Sequence, residues 1–131
     1  MDSNNNKGYV IKVTPDWEVV RIPLAEDSLS QLQNIVGGYI ERASTPLDEF
    51  DIDLYVDEEG LIKEDEPVLN PAATGIAGYT IVGNAAFVKH NSDGGTIGLS
   101  DDESFALISM IVMLKKFYEE VEKKVEKEVH H

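Results

Sequence analysis

The chain has 131 residues, 42% of them hydrophobic, and its 25 acidic and 11 basic residues give a formal net charge of −14, so we expect one globular domain with its own core. That charge disfavours direct binding to nucleic acid or to an anionic membrane, because both need clustered Lys and Arg, and it favours a partner protein with a basic surface. The chain contains no cysteine, which excludes disulfides, thiolate metal sites and cysteine nucleophiles and permits a reducing cytoplasm as its location.

The first predicted elements are a polar lead and a β-hairpin. Residues 1–7 are rich in asparagine, and we expect a disordered lead before a single domain over residues 8–131. Residues 9–13 and 17–22 are rich in β-branched and aromatic side chains, which favours two strands around a turn at Pro15-Asp16.

Two adjacent glycines follow the first predicted helix. Asp27-Ser28 is a helix start signal, and apolar residues then recur at helical spacing as far as Val36. Gly37 stands where a helix ends in a left-handed residue, and Gly38 permits a tight reversal into a strand over residues 39–42. The alternative is a backbone nest that binds an anion, although glycines in such motifs usually open a helix rather than follow one.

A carboxylate-rich strand is predicted next. Residues 51–56 alternate apolar and polar side chains, which indicates a strand with one solvent-exposed face, and residues 61–63 should return from a turn at 57–60. The carboxylates here could hold a hard cation, but their spacing is not that of an EF-hand loop, and solvated charges also protect a sheet edge. We therefore predict no metal site. The carboxylates are those of Asp51, Asp53, Asp57, Glu58 and Glu59.

The middle of the chain predicts a short helix and two more strands. Asn70 suits the cap and Pro71 the first position of a single helical turn, with a loop over residues 76–78. Residues 79–82 and 85–88 are strand-like, and the Gly-Asn pair between them predicts a bend.

The last predicted element is a long helix over about residues 101–129. Ser100 and Glu103 have the spacing of a capping box. Residues 105–114 are apolar nearly all round, too few to span a bilayer, so we expect burial under the sheet or between subunits of a homo-oligomer. Valines every fourth residue beyond them favour a short packed extension over a long coiled coil. The candidate oligomer interface consists of Phe105, Ile108, Ile111, Val112 and Phe117.

Taken in chain order, these elements predict an α+β fold. We expect a mixed or antiparallel sheet of about five to seven strands with helices on one face. One short helix follows the first hairpin, and the long helix closes the chain.

Six stretches in a fixed order resemble a family of small proteins catalogued as a domain of unknown function, similar to proteins of phages, plasmids and Gram-positive bacteria. They are YVIKVTP, LSQLQNIVGGYIE, DIDLYVDEEGLI, LNPAA, IAGYTIVGNAAFV and LSDDE. The resemblance covers about residues 9–103, and the helical tail from residue 104 looks like an elaboration. The family commonly has Asn before Glu-Glu-Gly and Lys after it, where this chain has Asp57 and Leu61. The resemblance implies a compact α+β fold and a mobile-element setting, and it implies no reaction.

Catalytic motifs are absent from the sequence. His90 is the only histidine away from the terminal His130-His131 pair, which has the form of a tag remnant, and it reads as a surface residue. There is no Gly-x-Ser-x-Gly, P-loop or dinucleotide fingerprint, so we predict neither an enzyme nor a cofactor. Loop residues near strand ends are the candidates for contacting a ligand or partner. They are Gly37, Gly38, Tyr39, Asn70, Tyr79 and Asn84.

The expected function is therefore non-enzymatic binding by an acidic cytoplasmic protein of phage or mobile-element type. Its charge could occupy a basic groove of a host defence protein. A second hypothesis is an oligomeric sponge for a nucleotide-like molecule, which would need several cations to converge on one pocket. A third is an enzyme that uses carboxylates and a divalent metal. The cations that would have to converge are Arg21, Arg42, Lys63 and Lys89.

Overall fold

The computed structural model describes residues 7–63 and 66–129, and its centre is an antiparallel sheet of six strands. The strands are β1 (Tyr9–Val13), β2 (Val19–Pro23), β3 (Ile40–Ala43), β4 (Ile52–Asp57), β5 (Ala85–His90) and β6 (Thr96–Ile97). They lie side by side in the order β2-β1-β5-β4-β3, and β6 adds to β5. The predicted lead at residues 1–6 lies outside the described residues, whereas Lys7 already accepts a hydrogen bond from the Gly98 N–H at its carbonyl.

Within the described residues, three α-helices and one short 3₁₀ helix accompany the sheet. They are α1 (Ser28–Val36), the 3₁₀ helix (Pro46–Phe50), α2 (Pro71–Ala77) and α3 (Asp101–Val129). The predicted fold class is confirmed: the protein is α+β, with a short helix after the first hairpin and a long helix at the end of the described chain.

The helices cover both faces of the sheet, so the expectation that they share one face is wrong. On one face, Leu32 and Val36 of α1 pack against Val10 of β1 and Val88 of β5. On the other face, α2 and α3 pack over a larger cluster that includes Phe87 of β5. The central strands are apolar on both sides, and two apolar faces require two covering layers.

The predicted wet face of β4 is also wrong. Asp53 is only 3% exposed, and Tyr55 is partly buried against the α1 cluster. The alternation of apolar and polar residues was real, but β4 lies between β3 and β5, where α1 and the neighbouring strands cover its polar side. A polar residue on a covered face must find a partner, which Asp53 does in His90.

Two predicted strands do not form. Residues 61–63 stay in an exposed turn, where the N–H groups of Ile62 and Lys63 donate to the carbonyl of Glu59. Residues 79–82 form only a single bridge, between Val82 and Leu69. The helix α2 runs as far as Ala77 rather than ending after one turn, and the backbone of Ile81 bonds to Asn70 and Thr74 instead of to a strand.

The predicted helix signals are confirmed. Asp27 Oδ1 accepts the Ser30 N–H at 3.1 Å, and Gly37 ends α1 with a φ of +86°, its N–H donating to the carbonyl of Gln33. The conformation of Gly37 is the left-handed one that glycine adopts without cost. The pair of glycines therefore stops the helix and turns the chain into β3, as the first interpretation of the sequence held.

The long helix α3 begins with a capping box and extends beyond the sheet. Glu103 N–H donates to Ser100 Oγ at 3.1 Å, and Glu103 Oε1 accepts the Ser100 N–H at 2.9 Å. Leu107 and Ile111 are buried in the core, and Leu114 packs against its edge. Residues 115–128 are all exposed, so the second half of α3 projects beyond the body of the protein.

Candidate functional site: an acidic cleft beside the edge strand

A cleft of about 460 Å³ lies at the outer edge of the sheet. One wall is β3, which ends the strand order, and the other is the irregular segment 79–82. The end of β4 and the turn after it close the cleft on a third side.

The floor of the cleft is apolar, and part of its wall is exposed apolar surface. Ala43, Val56 and Ile81 form the floor and are each less than 10% exposed. Leu61 is 65% exposed and Tyr79 is 48% exposed in the wall. Exposed large apolar side chains that surround a concave surface are typical of a site that binds another molecule.

The charge at the mouth of the cleft is negative. Glu41 and Glu58 are exposed there, and neither forms an ion pair with any described residue. Arg42 contributes to the wall, but its Nη1 lies 2.8 Å from Asp48 Oδ1, so its charge is already balanced. Two free carboxylates above an apolar floor favour a ligand that combines a cation with an aliphatic or aromatic group.

A third carboxylate, Asp57, stabilises the turn that borders the cleft. Its Oδ1 accepts the Glu59 N–H at 2.9 Å, and its Oδ2 lies 2.9 Å from Lys63 Nζ, which also donates to the carbonyl of Gly37. Burial alone would raise the pKa of Asp57, but the hydrogen bond from Glu59 and the Lys63 ammonium outweigh burial and lower the pKa. Asp57 is therefore ionised but engaged, and the free charges remain Glu41 and Glu58.

The backbone of β3 adds hydrogen-bonding capacity along the cleft. The carbonyl of Tyr39 accepts the Glu58 N–H, so the backbone groups of Tyr39 face β4. Because these groups alternate in direction along an antiparallel strand, the N–H and C=O groups of Ile40 and Arg42 face outward. Tyr79 Oη donates to the Ser44 carbonyl at 3.0 Å and fixes the segment 79–82 beside the end of β3. An extended chain could pair with the outward groups of β3.

The predicted ligand-contacting residues fall into two sets. Tyr79 lines the cleft, and Gly37, Gly38 and Tyr39 lie next to it around Asp57, where a Cβ on Gly38 would come within 2.8 Å of Asp57 Oδ1. The two asparagines serve the fold instead.

Asn70 and Asn84 are structural residues. Asn70 is fully buried, its Oδ1 accepting the Ala73 N–H and its Nδ2 donating to the carbonyls of Val13 and Gly83. Asn84 Nδ2 donates to a carbonyl in the last turn of α1. These contacts occupy the amides that a ligand would need.

Sequence reasoning missed Glu41 and Leu61 and considered Glu58 only as a possible cation ligand, although these three residues give the cleft its character. Glu41 lies in an ordinary strand and Leu61 in a predicted strand, so neither had a local signal. Only the pairing of β3 with β4 brings them together across the same surface.

The four cations of the sponge hypothesis do not converge. Each forms an ion pair with a different carboxylate at 2.7–2.9 Å, and only two of these carboxylates, Asp101 and Glu103, share an element, the first turn of α3. The pairs are Arg21 with Asp101, Arg42 with Asp48, Lys63 with Asp57, and Lys89 with Glu103.

His90 is not the unpartnered surface histidine that the sequence suggested. Its Nδ1 lies 3.0 Å from Oδ2 of the buried Asp53, and its Nε2 lies 3.4 Å from Asp51 Oδ1. Arg42 approaches the same Asp53 carboxylate at 3.9 Å. Burial, and then the Asp53 charge, raise the pKa of the neighbouring Tyr55. The group links the start of β4 to the end of β5.

The predicted carboxylate run is divided between two ends of β4. Asp51 and Asp53 lie with His90 at one end, and Asp57 lies with Lys63 at the other. Within residues 7–63 and 66–129, no group of three or more carboxylate or histidine side chains could hold a metal ion.

The residues proposed for an oligomer interface lie on different sides of α3. Ile111 is 1% exposed and belongs to the core of its own chain, so it cannot contact a second copy, and Ile108 is half-buried. Phe105 is exposed but its ring lies 5.3 Å from the Arg21 guanidinium. Val112 and Phe117 are exposed at 58% and 68%.

The fold and the cleft define a small α+β protein with an antiparallel sheet covered by helices on both faces and with an open, acidic edge. The chain belongs to the family described as Domain of unknown function (DUF3846), whose model matches residues 7–117. The match reaches further than the expected residue 103 and includes the part of α3 that packs against the core, so residues 118–129 of that helix lie beyond it. Comparison with curated proteins and with solved structures gives no match. No described helix is both long and apolar enough to cross a membrane.

Proposed function

We propose that this protein is a non-enzymatic binding protein that takes a basic, extended segment of a partner protein into the cleft beside β3. The observation that carries the proposal is the pair of unbalanced carboxylates, Glu41 and Glu58, above an apolar floor. A lysine or arginine of the partner would meet these carboxylates, and an adjacent aliphatic side chain would lie on Val56 and Ile81.

The edge position of β3 supports an extended partner in particular. Its outward N–H and C=O groups at Ile40 and Arg42 can continue the sheet into a bound chain, which supplies affinity through main-chain hydrogen bonds. The net charge of −14 would draw a basic partner from a distance, so association should be fast at low salt and slower at high salt.

The other functions considered have less support. A nucleotide-like ligand would need free cations at its site, whereas the cleft offers free carboxylates and each of the four candidate cations is already paired with a carboxylate. A carboxylate-metal enzyme would need its acidic residues together, and they lie at opposite ends of β4. The setting that we propose, on the resemblance to proteins of mobile elements, is the cytoplasm of a host cell, with a defence protein as the partner.

The proposal is tested with short synthetic peptides in which lysine or arginine flanks an aliphatic residue, titrated into the ¹⁵N-labelled full chain. We expect chemical-shift changes at residues 41–44, 56–61 and 79–82, and an affinity that falls about tenfold between 50 and 300 mM salt, as expected for a few charge contacts. Glu41→Lys should weaken binding by about tenfold, because it replaces an attraction with a repulsion.

The matched control is Asp93→Lys, which changes the net charge equally. Asp93 is exposed in the turn between β5 and β6, at the opposite end of the sheet from the cleft. Its effect should stay within about twofold, since only the long-range field changes. Equal weakening by the two variants, or shift changes spread over the whole acidic surface, would reject the cleft as the site.

A further inference from the structure

The projecting half of α3 exposes an apolar row with no covering element. Phe117, Val121 and Val125 recur every fourth residue and are 68%, 42% and 54% exposed. Residues four apart lie on one face of a helix, so the three side chains form a continuous ridge. Beyond Leu114 the helix contacts the body through Tyr118, whose ring lies 5.6 Å from that of Trp17.

A solvent-exposed helix of this length is only marginally stable in water. Residues 115–129 span about 22 Å at 1.5 Å per residue, and isolated helices of about 15 residues are marginal in water. Helices of soluble proteins gain most of their stability by packing an apolar face. We therefore expect the ridge to pack against another molecule, and the charges beside it indicate which molecule.

The charges next to the ridge on one copy complement the same charges on a second copy that runs in the opposite direction. Lys116, Glu120, Lys124 and Glu128 alternate in sign along one side of the ridge. When a second α3 runs antiparallel about a two-fold axis, Lys116 of one copy faces Glu128 of the other, and Glu120 faces Lys124. A two-fold interface repeats each of these contacts.

The charge row is symmetric about residue 122. An antiparallel pair with this centre places residue 129 of each copy beside residue 115 of the other, next to Leu114. The two bodies then lie at opposite ends of the pair and do not overlap.

We propose that residues 115–129 form a dimerisation arm that pairs antiparallel with the same arm of a second copy of this chain. Opposite charges meet on one side of the ridge, whereas on its other side Glu122 lies at the two-fold axis and faces Glu122 of the second copy. The dimer should therefore be weak, with a dissociation constant in the micromolar range, and Glu122→Gln should tighten it by about threefold, because it removes this repulsion.

The experiment uses two full-length variants, Glu120→Lys and Lys124→Glu, whose association is measured by sedimentation at low salt. Each variant alone should dimerise about tenfold more weakly than the parent chain, because two attractive pairs become repulsive. An equimolar mixture should recover the affinity, since every lysine of one chain then faces a glutamate of the other. Native mass spectrometry of the mixture should show the heterodimer in excess over both homodimers.

The matched control is the pair Glu119→Lys and Lys115→Glu. These residues also carry opposite charges four residues apart but lie on the far side of the helix, since each is two residues, or about 200°, from Phe117. They should change association by less than about twofold, alone or mixed. Circular dichroism checks that all four variants keep the helix.

Val121→Asp should abolish dimerisation without unfolding the body, because Val121 is exposed and lies outside the core. A parent chain that stays monomeric at millimolar concentration would overturn the proposal. So would a dimer that survives Val121→Asp, or a mixture of the two interface variants that associates no better than its components.

Discussion

A single buried amide, Asn70, joins three parts of the fold. Its Oδ1 caps α2, while its Nδ2 bonds the carbonyl of Val13 at the end of β1 and that of Gly83 before β5, at 3.0 and 2.8 Å. The sequence identified the cap, because Asn before Pro is a local signal. It could not identify the two longer contacts, which depend on where β1 and β5 meet.

Asn70→Ala should lower the free energy of unfolding by about 3 kcal/mol or more, because it leaves two buried carbonyls and one buried N–H without partners. Asn84→Ala is the control. Asn84 is partly exposed and donates one hydrogen bond at 3.2 Å, so its loss should cost about 1 kcal/mol. Urea unfolding of the two variants measures both values, and equal effects would contradict the role given to Asn70.

At the scale of elements, Glu103 ties the start of α3 to β5. It completes the capping box with Ser100 and accepts a hydrogen bond from Lys89 Nζ at 2.7 Å. Burial alone would raise the pKa of Glu103, but the hydrogen bonds from Lys89 and Ser100 outweigh burial and hold the pKa below its usual value of 4.5. The charged form is thus the one that the folded state favours.

Because the pKa of Glu103 is lower in the folded state, its charged carboxylate stabilises the fold at neutral pH. This stabilisation disappears as the pH falls below about 4.5, since the unfolded state takes up the proton at a higher pH than the folded state does. Glu103→Gln should therefore be less stable than the parent chain at pH 7. Between pH 5 and pH 3 its stability should fall by less than that of the parent chain. Thermal unfolding across this range is the measurement. Glu18→Gln, an exposed carboxylate with no ion pair to any described residue, should leave the pH profile unchanged.

The elements that the sequence predicted well are those with local signals at their ends. Asp27 and Gly37 bound α1, and Ser100 with Glu103 opens α3, each through hydrogen bonds within a few residues. The predictions that failed concern residues 61–63 and 79–82, whose side chains suit a strand but whose backbone groups bond within a turn or to Asn70 and Thr74 instead of joining a ladder. Sequence periodicity describes a side chain's preference, and pairing decides whether a strand forms.

The candidate site was predicted only in part, for the same reason. Tyr79 has an aromatic ring in a loop, which favours a binding residue, and it does line the cleft. Glu41 and Glu58 matter only because both lack a cation within reach, and that depends on Arg42 having turned to Asp48. No local pattern carries this information.

At the scale of the whole molecule, the charge of −14 sets how the protein responds to salt. Unbalanced negative charge repels itself more strongly in the folded chain than in the expanded one. We expect the melting temperature to rise by several degrees between 20 and 500 mM NaCl, as screening shortens the range of that repulsion. Calorimetry measures the change, KCl should give the same result as NaCl, and a fall in melting temperature would mean that the local ion pairs dominate.

The order of the strands has a consequence for the timing of folding. β5 separates the hairpin of β1 and β2 from the pair of β3 and β4, and it forms hydrogen bonds with both. It is also the last of the long strands to be synthesised, after about two-thirds of the chain. During synthesis on the ribosome, each of the two early pairs therefore keeps an open edge until residues 85–90 emerge and pair with both. The sheet is completed late, by a strand at its centre.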